Sequence, residues 1–158
     1  MTAPTPDQLR NAMALAPTAV TIVTATGERG PAGATANAVT SLSLDPPLIL
    51  ACLDQGSRTL EVVRAGGAFG VSVLAAGQEQ LARAFASKAP HTEKFREVAF
   101  SEREGVPILD GAVAWVACSL RDLHPGGDHE IAIGDVLAVG GAGGDPLVFY
   151  AGVYRPLD

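Results

Sequence analysis

The chain has 158 residues, 47% of them hydrophobic, which suits one domain with a substantial core, and nothing in it suggests a second. With 17 acidic residues against 11 basic ones and no stripe of Lys or Arg able to neutralise a phosphate backbone, nucleic acid and anionic membranes are excluded as partners. Met1 to Arg10 lacks the basic start and apolar stretch of a secretory signal, and the longest greasy run, Pro46 to Leu53, is too short for a bilayer, so no membrane association and a cytoplasmic location are expected.

Asp7 to Ala16 places Leu9, Ala12, Met13 and Ala16 at helical spacing, with Pro6 and Asp7 as starting residues and Pro17 as the stop. Ala19 to Ala25 is rich in β-branched residues, and Gly27-Glu28-Arg29-Gly30-Pro31 reads as a turn, so a hairpin is expected there. The next segment, Gly33 to Pro47, alternates. Ala34, Ala36, Ala38, Thr40, Leu42 and Leu44 form one row, while Thr35, Asn37, Ser41 and Ser43 share the other, interrupted by Val39. Uncharged hydroxyl and amide groups both donate and accept, which suits the edge of a heterocycle such as the pyrimidine-like side of a flavin. The plain alternative is an edge strand with one solvated face.

Leu48 to Leu53 is apolar on both faces, as in a buried strand. Ser57 to Arg64 is a short helix closed by Gly66-Gly67, Phe69 to Leu74 a strand, and Gln78 to Ala86 a helix with Leu81, Ala82 and Phe85 on one side. After a polar, turn-rich stretch from His91 to Gly105, three strands are expected at Ala112 to Leu120, Glu130 to Val139 and Leu147 to Tyr150. Glycines at Gly126-Gly127 and Gly140 to Gly144 mark reversals between them. Many strands at short intervals, without a regular strand-helix rhythm, favour a closed antiparallel barrel.

Asp54-Gln55-Gly56-Ser57-Arg58-Thr59 leaves the buried strand and enters a helix, where free N–H groups, the hydroxyls of Ser57 and Thr59 and the Arg58 charge would hold a phosphate. Ser57 acting only as a helix cap is the simpler reading. Lys88 is a further candidate phosphate contact or a solvated lysine. Gly126-Gly127-Asp128-His129 sets a histidine at a strand entrance, where an imidazole suits a nicotinamide amide or a pyrophosphate, or orients a neighbour across the barrel. Gly134 lets a backbone or a planar ligand come close to that strand.

Cys52 and Cys118 lie in apolar segments without a Cys-x-x-Cys spacing and are expected to be buried thiols. His124 and His129 lack a third well-spaced ligand, so no metal is assigned. No Gly-x-Gly-x-x-Gly follows a strand, and no nucleophile elbow or Gly-Lys-Ser/Thr loop is present. Dinucleotide-fold, hydrolase and triphosphatase readings therefore lack support.

Four motifs in order, Gly33-Ala34-Thr35-Ala36-Asn37, Ser41 to Leu48, Gly126-Gly127-Asp128-His129-x-Ile131-x-Ile133-Gly134 and Tyr150-Ala151-Gly152-x-Tyr154, resemble the short flavin reductases that supply reduced flavin to two-component monooxygenases. The resemblance runs from about Arg10 to Tyr154, the core of one domain spanning 1–158. It implies an FMN-binding split β-barrel, usually a homodimer, that reduces FMN or FAD with NADH or NADPH and serves a partner monooxygenase. It also implies that Thr35, Ala36 and Asn37 meet the isoalloxazine and ribityl chain, with Ser41 and Ser43 nearby and Cys52 and Leu53 contributing backbone at the ring. Ser57 and Thr59, with Lys88, match the phosphate end, and His129 the nicotinamide-docking histidine. Ala38 departs from the Ser that many relatives carry there. Two other functions fit a similar barrel: a flavin-binding or electron-transfer protein without nicotinamide chemistry, and an oxidase of phosphorylated pyridoxine-like compounds. The latter needs several basic side chains at the flavin phosphate, where this chain has Arg58 and Lys88.

Overall fold

A computed structural model describes residues 1–157. Helix α1 (Pro6–Met13) is shorter than its apolar spacing predicts. Thr5 caps it in a reciprocal box with Gln8, and Pro6 occupies the first turn, where an N–H has no helical partner. Leu9 and Met13 stay exposed, so the apolar face of α1 has no cover among the described residues. β1 (Thr18–Ala19) precedes β2 (Thr21–Gly27), which forms the expected hairpin with β3 (Gly30–Ala36) across Glu28 and Arg29.

Gly33 to Pro47 is not one strand. It divides into β3 and β4 (Val39–Leu44), with a break at Asn37 and Ala38. β4 pairs with β5 (Pro47–Asp54), and a bulge between Ser41 and Ser43 breaks the two-residue alternation a second time. Helix α2 (Arg58–Gly66) starts at the Ser57 cap and ends on Gly67, whose φ of 67° is the left-handed geometry glycine permits. Then come β6 (Ala68–Val73), α3 (Glu79–Ala86) and α4 (His91–Lys94). β7 (Phe100–Arg103) and β8 (Val106–Leu109) form a small hairpin inside a stretch that reads as turns. The long strands β9 (Ala114–Gly126) and β10 (His129–Gly140) reverse at Gly126-Gly127 as expected. β11 (Leu147–Tyr150) does not continue that sheet; it pairs with β1 and with β12 (Val153–Pro156).

Seven strands form one antiparallel sheet in the order β3-β2-β6-β9-β10-β5-β4. β3 and β4, consecutive in sequence, therefore lie on its two opposite edges. The sheet curls until the chain passes from one edge to the other through Asn37 and Ala38, but no ladder joins them. The barrel is split rather than closed, which corrects the expectation from strand spacing. The reason lies at the outer edge of β3. The Gly33 N–H donates to His91 Nδ1 over a long 3.4 Å, and the Gly33 carbonyl accepts from Lys94 Nζ at 3.3 Å. The Thr35 hydroxyl donates to the Ala82 carbonyl at 2.6 Å. Groups from α3 and α4 thus occupy the place a pairing strand would take.

β2 is buried on both faces. Val23 and Ala25 point into the barrel with Ile49, Leu60, Val63 and Phe69, whereas Val20 and Ile22 pack outward against Leu74, Phe85 and Leu147 under α3. β5 departs from expectation. Ile49, Ala51 and Leu53 fill the barrel, but Leu48, Leu50 and Cys52 on the other face are only partly covered. Cys52 is therefore half-buried, while Cys118 is buried as expected. The Cys118 thiol donates to the Phe69 carbonyl at 3.2 Å, and burial pushes its pKa up to about 12. Gly134 faces protein rather than ligand: a Cβ there would lie 2.5 Å from Cys118 Sγ and 2.9 Å from Phe69 Cζ.

Candidate functional site

Pairing brings most of the singled-out residues into one band beside the seam. Ala38 at the break accepts a hydrogen bond from the Cys52 N–H at 2.8 Å, so the exposed Asn37 and the outer face of β5 meet there. β5 runs on through Leu53 to Asp54, which lies directly opposite His129 on β10, with Cys52 opposite Ile131. The Gln55 N–H donates to the Asp128 carbonyl at 3.0 Å and pins the β9–β10 turn to the loop that enters α2. Within this loop the Asp54 carboxylate accepts the Gly56 N–H at 2.7 Å and the Asp54 carbonyl accepts the Ser57 N–H at 2.9 Å, closing a tight turn before the helix.

The backbone at Lys88 is tied to the band from the far side. Arg58 donates to the carbonyls of Lys88 and Ala89 at 3.0 and 2.8 Å, tying the segment after α3 to the first turn of α2. Ala36, Asn37, Cys52, Leu53, Ser57, Lys88 and His129 thus follow the seam and the loop, an arrangement that no short motif discloses.

Other expectations change. The Thr35 hydroxyl donates to α3, so it can face a ligand only as an acceptor. Ser41 and Ser43 pair with Ile49 and Leu48, which lead away from Cys52 by about 10–13 Å along β5 at the usual rise per residue. Ser57 caps α2, accepting the Leu60 N–H at 3.3 Å, and its own hydroxyl hydrogen can still be donated. Thr59 is only 1% exposed, on the core side of α2.

Four groups carry charge or tautomer control. His129 Nδ1 lies 2.7 Å from the Asp128 carboxylate, which holds one ring nitrogen of a side chain that stays 41% exposed. The hydrogen bond and charge of His129 hold the Asp128 carboxyl below the usual carboxylate range. Near the outer edge of β3, Lys94 is buried and donates to the Gly33 and Phe85 carbonyls at 3.3 and 3.2 Å. Burial lowers its pKa, helped by the Arg58 charge. His91 is lowered by burial first, then by Lys94 and Arg58. Sequence reasoning passed over His91 and Lys94; Pro90 with the i, i+3 pair His91 and Lys94 was the one available sign of a helical turn.

The His91 shift has a measurable consequence. Its folded pKa lies below the ordinary 6.5, so between the two values the unfolded chain binds more protons than the folded one. Stability is expected to be full above pH 6.5, to decline as pH falls toward the folded value, and to level off below it. Urea midpoints across this range read the slope, and His91→Gln, which keeps an acceptor for Gly33, should flatten it. An unchanged slope would relieve His91 of this role.

The band fits a flavin: an exposed amide at Asn37, strand backbone at Cys52 and Leu53, and hydroxyl and cationic groups at the loop. Residues 13–158 match the family model described as flavin reductase like domain. An NADH-dependent flavin reductase of a Rhodococcus species is 40% identical over 157 residues, covering 98% of this chain and 88% of its own length. An NADH-dependent FAD reductase of Streptomyces globisporus is 43% identical over 134 residues, covering 82% of this chain and 73% of its own. Among solved structures, the flavin reductase component of a bacterial two-component tryptophan halogenase superposes with a TM-score of 0.89 at 37% identity, over 97% of this chain and 98% of that one.

Proposed function

This chain belongs to the flavin reductase like domain family, and from that premise we infer that it is an NADH-dependent flavin reductase supplying reduced flavin to a separate monooxygenase. The observation that carries the reading is the continuous band from the seam at Asn37 to His129, together with a family match over nearly the whole chain. A flavin, when bound, would supply the redox chemistry, so the protein needs neither nucleophile nor catalytic carboxylate pair. Its task is to hold two rings at reacting distance.

In this reading Asn37 hydrogen-bonds the polar edge of the ring, and the backbone at Ala36, Cys52 and Leu53 lines its face. Thr35 accepts from the ribityl chain while anchoring β3 to α3. Ser57, Lys88 and the first N–H groups of α2 hold the phosphate, with the buried Thr59 shaping that turn from below. Ser41 and Ser43 stand farther along β4 and shape the seam rather than touch the ring. His129, its ring oriented by Asp128, docks the nicotinamide nucleotide. NADPH is the alternative donor, and FMN and FAD are both candidate acceptors. The partly covered outer face of β5, beside the 92% exposed Leu44, supports a homodimer in which a second copy covers this surface.

Mixing protein, FMN and NADH and following the nicotinamide absorbance tests the activity directly; no acceleration over free FMN, with FAD and NADPH equally inert, would reject it. Replacing Asn37 by Ala should weaken flavin binding about tenfold, the worth of one to two hydrogen bonds to a polar ring. A fluorescence titration measures it, and an unchanged dissociation constant would remove Asn37 from the site.

A further inference from the structure

The β7–β8 hairpin is held to the sheet through β8. The Leu109 N–H donates to the Ser72 hydroxyl at 3.0 Å, and the Pro107 carbonyl accepts from the Thr24 hydroxyl. Among the described residues β7 has no such tie, and its four residues all stay exposed. Ser101 and Arg103 lie opposite Ile108 and Val106, so they share the face that β8 packs against Trp115 and Ala117. Polar side chains thus point inward and still meet solvent, because a cleft of about 360 Å³ lies beneath them. Cavities that take small molecules span about 300–1,000 Å³.

Two opposite charges line this cleft without meeting. Among the described residues neither Arg103 nor Asp110 enters an ion pair, and the Asp110 carboxylate accepts only from the Ser101 hydroxyl, at 3.3 Å. Ser101 and Arg103 stand two positions apart on one strand face, about 7 Å at the usual rise per residue. A carboxylate end and a guanidinium end are therefore separated by the span of a benzene ring substituted at opposite corners. Trp115 supplies a surface for such a ring. Gly140 lies close against the indole: a Cβ there would stand 2.6 Å from Cζ2 and 2.7 Å from Nε1, so only bare backbone fits at this edge. The Arg103 guanidinium is 5.7 Å from the ring centroid, at the outer limit of a cation–π contact and too far to seal the indole face, and Trp115 stays half-buried.

We propose that this cleft is a binding site for a small aromatic hydroxy acid. Its carboxylate pairs with Arg103, its ring stacks on Trp115 and its hydroxyl donates to Asp110, so each group that the cleft leaves unanswered gains a partner. An aliphatic acid of the same length would leave the indole without a stacking partner. The site stands apart from the band that fits a flavin. Trp115 pairs with Gly140 at one end of the β9–β10 hairpin and Gly126 with His129 at the other, about 35 Å of strand away.

Trp115 is the one tryptophan of the chain, so its fluorescence reports the cleft directly. Titrating the intact protein with 4-hydroxybenzoate should change the emission along a saturating curve, with a dissociation constant of about 1 mM or below, the range open to a ligand of roughly ten heavy atoms. Benzoate, which lacks the hydroxyl, and phenol, which lacks the carboxylate, should each bind about tenfold more weakly. Arg103→Met keeps an apolar stem at an exposed position and should weaken 4-hydroxybenzoate about tenfold while phenol binds as before. Ala142→Leu, on the rim of the cleft, puts bulk into it and should abolish saturation. Flavin affinity, read from flavin fluorescence, should stay within about twofold at saturating acid, since the two sites share no residue. A linear decline in emission, equal affinities for the three probes, or binding that survives either substitution overturns the proposal. So does displacement of flavin by the acid, because the acid would then lie in the band.

Discussion

Replacing Gly134 by Ala is expected to destabilise the protein by about 2–3 kcal/mol, the cost of overpacking a well-filled core. The added methyl would stand 2.5 Å from Cys118 Sγ and 2.9 Å from the tip of Phe69, well inside contact distance. Neither neighbour has room to withdraw, since both are essentially unexposed and Cys118 is tied to the Phe69 carbonyl. Either β10 must move away from β9 or Phe69 must leave its place in the barrel. The register already shifts between Ile133 and Gly134, so displacement of β10 is the easier route, and it would carry His129 at the head of the same strand with it. A lower urea midpoint at unchanged slope reads the loss. Adding Cys118→Ala relieves the closest clash and should recover part of it, a coupling that two independent sites would not show. Full stability of the single variant would mean that the core around Phe69 is looser than its packing implies.

Removing the imidazole of His129 is expected to raise the Michaelis constant for NADH about 10- to 100-fold, the range for loss of one hydrogen bond to a charged or strongly polar group. Flavin affinity should stay within about twofold, since on the proposed reading His129 touches the nicotinamide nucleotide and not the flavin. Stopped-flow reduction separates the two quantities: the NADH concentration at half-maximal rate should move, with the maximal rate less affected. Asp128→Asn should give a smaller effect in the same direction, because the amide oxygen keeps a contact to Nδ1 that orients the ring but loses the carboxylate charge. An unchanged NADH dependence in His129→Ala would place the nicotinamide elsewhere. The exposure of the pair makes the stability cost of these changes small, so a kinetic change can be read as a site effect.

Much of the secondary structure was legible because local chemistry decides it. Pro6 and Asp7 start a helix, Ser57 caps another, Gly67 ends it, and Gly126-Gly127 turns β9 into β10. The candidate site was legible in its members more than in its geometry. The residues of the band are in sequence motifs, but the contact between the Gln55 N–H and the Asp128 carbonyl joins segments more than seventy positions apart. Lys94 and His91 escaped notice for a similar reason: their partner is the backbone of Gly33, and a backbone carbonyl or N–H leaves no mark in a residue pattern.

By itself the sequence determined the strand-rich composition, the caps and turns, and, through four ordered motifs, membership in a flavin-handling family. Only the tertiary structure decided that the polar row from Thr35 to Ser43 is two edges of one sheet and not one face of one strand. Alternation records which way neighbouring side chains point along an extended chain, and it is blind to a break such as Asn37-Ala38, where the chain leaves one ladder for another. Whether a curled sheet closes depends on what its edge groups bond to. Here α3 and α4 reach the edge of β3, so the barrel stays open at the seam where Asn37 stands.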